Sequence, residues 1–216
     1  MRHLKREKMP KNWPVARKGK KFVVRPNHSN DKGLPILIIL RDVLGIAKTR
    51  KEVKKAIHDK NILINGKAVR DEKNVAVLFD LITIVPSKKN YKVKLTGNGK
   101  FKIEEVKEAD AKIKISKIVD KKILKGKKTQ LNLSDGTNIL YDKKCSTGES
   151  IVLNLKDKKI VKTLPLKVKS NVLVYAGKHA GKEGKVDAID EKNKMVIVDD
   201  GKNKLNILIK QTMVLE

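Results

Sequence analysis

The residues best placed to do chemistry in this chain are cations crowded onto short periodic segments. Thr49 and Glu52 form a Thr-x-x-Glu capping box, and the helix so started carries Val53, Ala56 and Ile57 on one side. Arg50, Lys51, Lys54 and Lys55 fall on the other side or flank it. Like charges packed this closely repel, so the arrangement is favourable only beside a polyanion. A second basic group opens the chain, with Arg2, Lys5, Arg6, Arg17, Lys18, Lys20, Lys21 and Arg25 around Trp13, the only tryptophan. A third surrounds Gly177, Gly181 and Gly184, where Lys178, His179, Lys182 and Lys185 alternate with the glycines. Glycines spaced four and three apart in a strand-turn-strand context permit positive φ and a close approach of backbone amides to another surface.

No catalytic constellation assembles beside these cations. The glycine-rich stretch lacks the G-x-x-x-x-G-K-[ST] spacing of a phosphate-binding loop. His3, His28, His58 and His179 are scattered, and a single cysteine cannot build a zinc knuckle. Cys145 has no motif around it and reads as an inert thiol; Asp199 and Asp200 precede Gly201 as a hairpin turn. The expectation is no catalytic residue, no metal, no cofactor and no small-molecule substrate.

The elements that must position the cations follow from periodicity. From Leu34, the residues Ile36, Leu37, Leu40, Val43 and Leu44 recur at helical spacing up to Gly45, a usual C-terminal stop. After the capped helix, Ile62 to Ile64 leads through Asn65 and Gly66, a favoured two-residue turn, back along Lys67 to Arg70. Leu81 to Val85 is a further strand ending at Pro86. In the first segment Pro10, Pro14 and Pro26 break regular structure. Two readings of it stand: a disordered basic tail, or an arm that orders on RNA, with Trp13 packing on the body or stacking on a base. Beyond Pro86 the pattern is strand-like, with a short polar segment from Glu104 to Ala111 expected to form helical turns. Hairpin signals fall at Ser134 to Gly136 and at Lys156 to Lys159.

Composition bounds the class. The 216 residues carry a net charge of +28, with 39% hydrophobic and 3% aromatic residues. One large core is disfavoured against several small β-rich units, and the natural partner is polyanionic. The longest uncharged runs, Gly33 to Leu40 and Ser170 to Gly177, fall far short of the roughly 20 residues that span a bilayer, so no membrane is expected. No secretory signal opens the chain, and a lone cysteine suits the cytosol.

Three resemblances sharpen this. Leu40 to Leu44, Thr49 to Ile57, Ile62 to Arg70 and Leu81 to Ile84 resemble the S-four-type RNA-binding module of ribosomal proteins, some pseudouridine synthases and heat-shock RNA binders. That implies two helices against structured RNA, with Arg41, Arg50, Lys51, Lys54, Lys55, Lys67 and Arg70 on phosphates. Gly177 to Val186 resembles the KOW motif, although Ser170 and Asn171 stand where that family often has Gly-Asp. It implies a small SH3-like barrel whose loop touches RNA or a neighbouring protein through Lys178, His179, Lys182 and Lys185. The order of parts, with His3 to Arg6 and Trp13 at the start, resembles the S-four-e family of small-subunit ribosomal proteins over essentially the whole chain.

The implied fold class is α+β and multi-domain: a basic N-terminal arm (1–33), an S-four-type module (34–86), a central β domain (87–165) and a KOW barrel (166–216). The implied role is a structural constituent of the small ribosomal subunit, cytoplasmic, binding small-subunit ribosomal RNA through phosphate and shape and supporting assembly and translation. Neighbouring small-subunit ribosomal proteins would be its other partners. A chain ending at Glu216 without the longer eukaryotic tail suggests an archaeal member. Two other readings stand beside this one. An RNA-modifying enzyme would need an appended catalytic domain, for which the region after Pro86 leaves no obvious room. A transcription elongation factor using its KOW unit on polymerase is opposed by the basic arm and the first module.

Overall fold

The computed structural model describes residues 3–108, 110–126, 128–143, 145–201 and 203–215. Its contacts divide the chain into two compact units, Met1–Lys94 with Lys100–Lys112, and Leu95–Gly99 with Ile113–Glu216. The chain is mostly β with few helices.

The first unit opens with β1 (Leu4–Lys5) paired antiparallel to β2 (Phe22–Val23). Leu4, Met9 and Trp13 are buried, and the Phe101 amide donates to Asn12 O at 2.8 Å. The segment expected as an arm is therefore folded into this unit by its few apolar residues. β3 (Gly33–Pro35) leads directly into α1 (Ile36–Ile38), and Ile36 to Leu40 are all buried. A helix apolar all round belongs inside, and this one is the centre of the unit. It continues as a π-helical turn, Ile39–Val43, in which the Leu44 amide reaches Ile39 O at 2.9 Å. Gly45 then ends it at φ 64°, the left-handed stop its position predicts.

α2 (Arg50–His58) starts at the capping box: the Glu52 amide donates to Thr49 Oγ1 and the Thr49 amide donates to Glu52 Oε2. Val53 and Ile57 are its buried face. β4 (Ile62–Ile64) and β5 (Lys67–Ala68) are joined by Asn65 and Gly66 at φ 50° and 77°. The Asn65 side chain fixes that turn, donating to Asp80 Oδ1 at 2.8 Å and accepting from the Leu81 amide at 3.0 Å.

β6 (Val75–Val77), which the sequence reading passed over, pairs with β3. The pairing is close enough that a Cβ on Gly33 would sit 2.3 Å from Ala76 O. β7 (Leu81–Ile84), β8 (Lys89–Leu95) and β9 (Phe101–Val106) complete a sheet of order β5-β4-β7-β8-β9. The expected boundary between 86 and 87 thus falls inside a sheet, with Ile82 opposite Tyr91. Pro86 sits in the four-residue turn between β7 and β8, closed by Lys88 at φ 52°; it punctuates a hairpin and not a domain. The helical turns expected from Glu104 are also displaced. β9 runs on to Val106, and a single 3-10 turn occupies Asp110–Lys112.

The second unit begins with β10 (Ile113–Ile123), whose register shifts between Ile118 and Asp120. β11 (Thr129–Leu133), β12 (Asn138–Leu140), β13 (Ser150–Asn154) and β14 (Ile160–Leu164) join it in the order β12-β11-β10-β13-β14. β15 (Asn171–Val174), β16 (Glu183–Asp190), β17 (Met195–Asp199), β18 (Lys204–Leu208) and β19 (Thr212–Val214) form a second antiparallel sheet, β18-β17-β16-β15-β19. The two expected hairpins, at Ser134 to Gly136 and Lys156 to Lys159, join β11 to β12 and β13 to β14.

The expected boundary between 165 and 166 crosses one hydrophobic core. Val152 and Leu164 of the first sheet pack with Val172, Val174, Val186, Val198 and Val214 of the second. The Val214 amide also donates to Ser150 Oγ at 2.9 Å. Buried Lys117 donates from Nζ to Thr212 O at 2.6 Å and to Ile209 O. Short strands in a chain this polar do not bury enough apolar surface singly, so the two sheets share theirs.

Candidate nucleic-acid interface

Which cations are available to a ligand depends on which lack a carboxylate of their own. Arg50, at the start of α2, donates from Nε to Glu72 Oε1 at 2.7 Å and again from Nη2. Glu72 is 2% exposed, and its hydrogen bond raises the arginine's pKa. Arg41 is likewise bonded to Asp42, at 3.0 Å from Nε and 2.8 Å from Nη2. Lys51, Lys54 and Lys55 are exposed on α2, as are Lys67 and Arg70 around β5. None of these five has a carboxylate of the described residues at ion-pair distance. The helix therefore presents three exposed lysines outside ion-pair distance of any described carboxylate, held on its outer face by the burial of Val53 and Ile57 beneath. Lys54 is near enough to Asp71 to help hold that carboxyl below its usual range, while like charges spaced this closely on a helix repel one another.

In the N-terminal segment the arginines and lysines part company. Arg6 donates from Nε to Lys20 O at 2.8 Å and from Nη1 to Ala16 O at 2.5 Å; Arg17 donates from Nη2 to Met9 O at 2.6 Å. These guanidinium groups are engaged in closing the loop that joins β1 to β2. Lys5, Lys18, Lys20, Lys21 and Arg25 are exposed, Lys5 with its Nζ 4.0 Å from Glu7 Oε1. The first four help to line a cleft of about 330 Å³ together with Arg6 and Arg17. Of the two roles open to Trp13, packing on the body is the one observed. The ring is 1% exposed and its Nε1 donates to Asn30 O at 3.2 Å, so no face is left for a base. Phe22 is instead the exposed ring here, at 53%. Arg2 lies outside the described residues.

The glycine-rich loop differs from expectation in what it approaches. Gly177 and Gly181 both take φ 89°, and Gly184 is not in the left-handed region. A Cβ on Gly181 would lie 1.9 Å from Thr96 O and 2.9 Å from the Gly99 amide nitrogen. One on Gly184 would lie 2.3 Å from Asp199 O, and one on Gly177 would meet the Gln211 side chain at 2.7 Å. All three glycines thus admit the chain's own backbone or side chains, and the Gly181 amide is bonded to Val174 O at 2.7 Å. Lys182 is paired with Asp200 at 2.9 Å, and His179 is half-buried. Lys178 and Lys185 are exposed, with no described carboxylate at ion-pair distance.

Two features of this charge map escaped the sequence reading. The first is the set of counter-charges: Glu72 lies 22 positions from Arg50, and nothing local marks the pairing. Glu104 is similar, drawn down to a pKa of about 2 by hydrogen bonds from Lys94 and Lys102. The second is the β10–β11 hairpin, whose exposed Lys122, Lys125 and Lys128 surround Gly126 at φ 81°. A lysine run about a turn glycine was the available signal. Among the described residues no group of three His, Cys, Asp or Glu could hold a metal ion, and no helix is long and apolar enough to cross a membrane.

Comparisons with known proteins bear on the whole chain. The model of the family described as Ribosomal family S4e matches residues 87–160, that of the RS4NT (NUC023) domain matches 1–28, and the KOW motif matches 168–199. The small ribosomal subunit protein eS4 of Methanocella arvoryzae is 40% identical over 190 residues, 87% of this chain and 80% of that one. The eS4 of Haloarcula marismortui is 33% identical over 213 residues, 97% of this chain and 88% of its own. Among solved structures, the crystal structure of the 30S ribosomal protein S4e from Thermoplasma acidophilum superposes with a TM-score of 0.73 at 22% identity, covering 86% of this chain and 95% of that one. The sheets and hairpins described above are thus those of a known fold, and the chain belongs to the ribosomal protein family S4e.

Proposed function

We propose that this chain is a structural constituent of the small ribosomal subunit, cytoplasmic and without catalytic activity, that binds small-subunit ribosomal RNA beside neighbouring ribosomal proteins and supports assembly and translation. The observation that carries the reading is the row of exposed lysines on α2, Lys51, Lys54 and Lys55, none of them in an ion pair with a described carboxylate, in a member of family S4e with a net charge of +28. A-form RNA hides its major-groove edges, so a protein rich in cations and poor in exposed rings recognises backbone geometry and phosphate position. Lys67, Arg70, Lys178 and Lys185 extend the same chemistry, as do the lysines of the N-terminal cleft. Arg41, Arg50 and Lys182 reach RNA only while sharing their charge with Asp42, Glu72 and Asp200. We take the S-four-type module to span 34–86, and β8 and β9 extend the sheet to which its strands belong.

The test is binding of the purified protein to deproteinised small-subunit ribosomal RNA across a series of KCl concentrations. Each phosphate contact adds roughly 0.7 to 0.9 to the slope of log affinity against log salt. The triple variant Lys51→Gln, Lys54→Gln, Lys55→Gln is expected to lower that slope by about 2. A wild-type affinity that hardly responds to salt refutes the proposal.

A further inference from the structure

With Trp13 packed on the body, the exposed ring of the N-terminal segment is Phe22. Trp13, Tyr91, Phe79 and Phe101 are all buried, whereas Phe22 stands 53% exposed on β2. Its ring is framed by cations and by a second ring. Lys21 Nζ lies 5.6 Å from the ring centroid, and the His3 ring lies 5.7 Å away, tilted by 55°. Across the two-stranded ladder Phe22 is the register partner of Lys5, which lines the basic cleft of about 330 Å³ together with Arg17, Lys18 and Lys20. The loop between the strands is closed by Arg6 and Arg17, whose bonds to Ala16 O, Lys20 O and Met9 O fix it without using the lysines.

We propose that Phe22 is a stacking platform for an unpaired RNA base, with the phosphate of the same or the adjacent nucleotide seated in the lysine cleft. This rests on the RNA-binding reading above and adds to it a contact of a different kind. The ring already meets Lys21 and His3, yet about half of it faces water, where a neighbouring protein surface could also cover it. The charge about it decides the occupant: Lys5, Lys18, Lys20 and Lys21 crowd one short hairpin with Glu7 as the only carboxylate lining the cleft. A stacked base brings its own anion to that crowd, which an apolar protein patch does not. Stacking is tolerant of base identity, so Phe22 contributes affinity and register, and not sequence choice.

The experiment measures affinity and salt slope for the full chain and three variants on deproteinised small-subunit ribosomal RNA, with far-ultraviolet circular dichroism reporting that each variant is folded. Phe22→Ala is expected to weaken binding about 5- to 100-fold with the salt slope unchanged, because a ring carries no charge. Phe22→Trp is expected to bind as the wild type does. The double variant Lys20→Gln, Lys21→Gln is expected to lower the slope by about 1.5. If Phe22→Ala binds as tightly as the wild type while the wild type shows a steep salt dependence, the platform is refuted and the RNA reading stands. The same holds if Phe22→Ala affects only joining to a particle already containing other proteins, since the ring then faces protein. If the wild type itself does not bind in a salt-dependent way, both fall.

Discussion

The glycine-rich loop yields the sharpest test of whether its glycines serve packing or RNA. Gly181, Gly177 and Gly201 all lie in the second unit at positive φ, 89°, 89° and 74°, but meet different surroundings. Replacing Gly201 by Ala places the methyl in open space, with nothing within 4 Å. The cost is the left-handed conformation alone, about 1 to 2 kcal/mol, partly offset by the 0.4 to 1 kcal/mol gained from a stiffer unfolded chain. The net is about 1 kcal/mol. Gly177→Ala adds an approach of 2.7 Å to the end of the flexible Gln211 side chain, which can rotate away, and should cost little more. Gly181→Ala sets the methyl 1.9 Å from Thr96 O, a backbone atom of the 96–99 turn that cannot retreat without carrying Gly99 with it. Overpacking of that kind adds about 1 to 3 kcal/mol, for a total of about 3. At a urea m-value of about 2 kcal/mol/M this lowers the midpoint by roughly 1.5 M. The assay is urea titration with pulsed hydrogen exchange, following the strands Asn171–Val174 and Glu183–Asp190 by mass spectrometry. Equal midpoints for Gly181→Ala and Gly201→Ala would refute the assignment of Gly181 to packing.

Two further predictions concern charges. Arg50→Ala leaves Glu72, 2% exposed, without its cation. Breaking a fully buried pair costs about 3 to 5 kcal/mol, and the 56% exposure of Arg50 reduces this to about 2, against less than 0.5 for Lys54→Ala. Trp13 fluorescence in urea measures both, and equal losses would contradict the pairing. Glu104 contributes to stability in the opposite pH range from a lysine. Its folded pKa, about 2, lies below the unfolded value of 4.5, so the contribution is present above pH 4.5 and is lost as pH falls towards 2. Lys94 and Lys102 are 45% and 58% exposed, which discounts the full shift to about 1 kcal/mol. The stability difference between wild type and Glu104→Gln should be near that at pH 6 and vanish by pH 2; a difference independent of pH would contradict it.

Local signals were legible and long-range pairings were not. The capping box at Thr49, the stop at Gly45 and the Asn65-Gly66 turn each depend on residues within a few positions, and all three are present. The surroundings of the edge expected at 86 are not legible locally, because Pro86 punctuates a turn and a domain boundary in the same way in sequence, while the pairing of Ile82 with Tyr91 across it is invisible there. Which cations are engaged by the chain itself is hidden for a related reason. Lysines are easy to find, but whether one is free depends on carboxylates such as Glu72 or Asp200, brought in from 22 and 18 positions away. Trp13 is open in sequence to packing on the body or to stacking on a base, and the burial that decides for packing rests on partners such as Asn30, 17 positions away, that no local pattern marks.

The central claim is membership of the small ribosomal subunit through RNA, and sedimentation tests it most directly. A lysate is resolved on sucrose gradients at low and at moderate salt, and this protein is followed by mass spectrometry. The account predicts co-migration with small subunits that survives moderate salt and is lost as salt rises further. A protein found at the top of both gradients, or migrating with RNA polymerase, would contradict it.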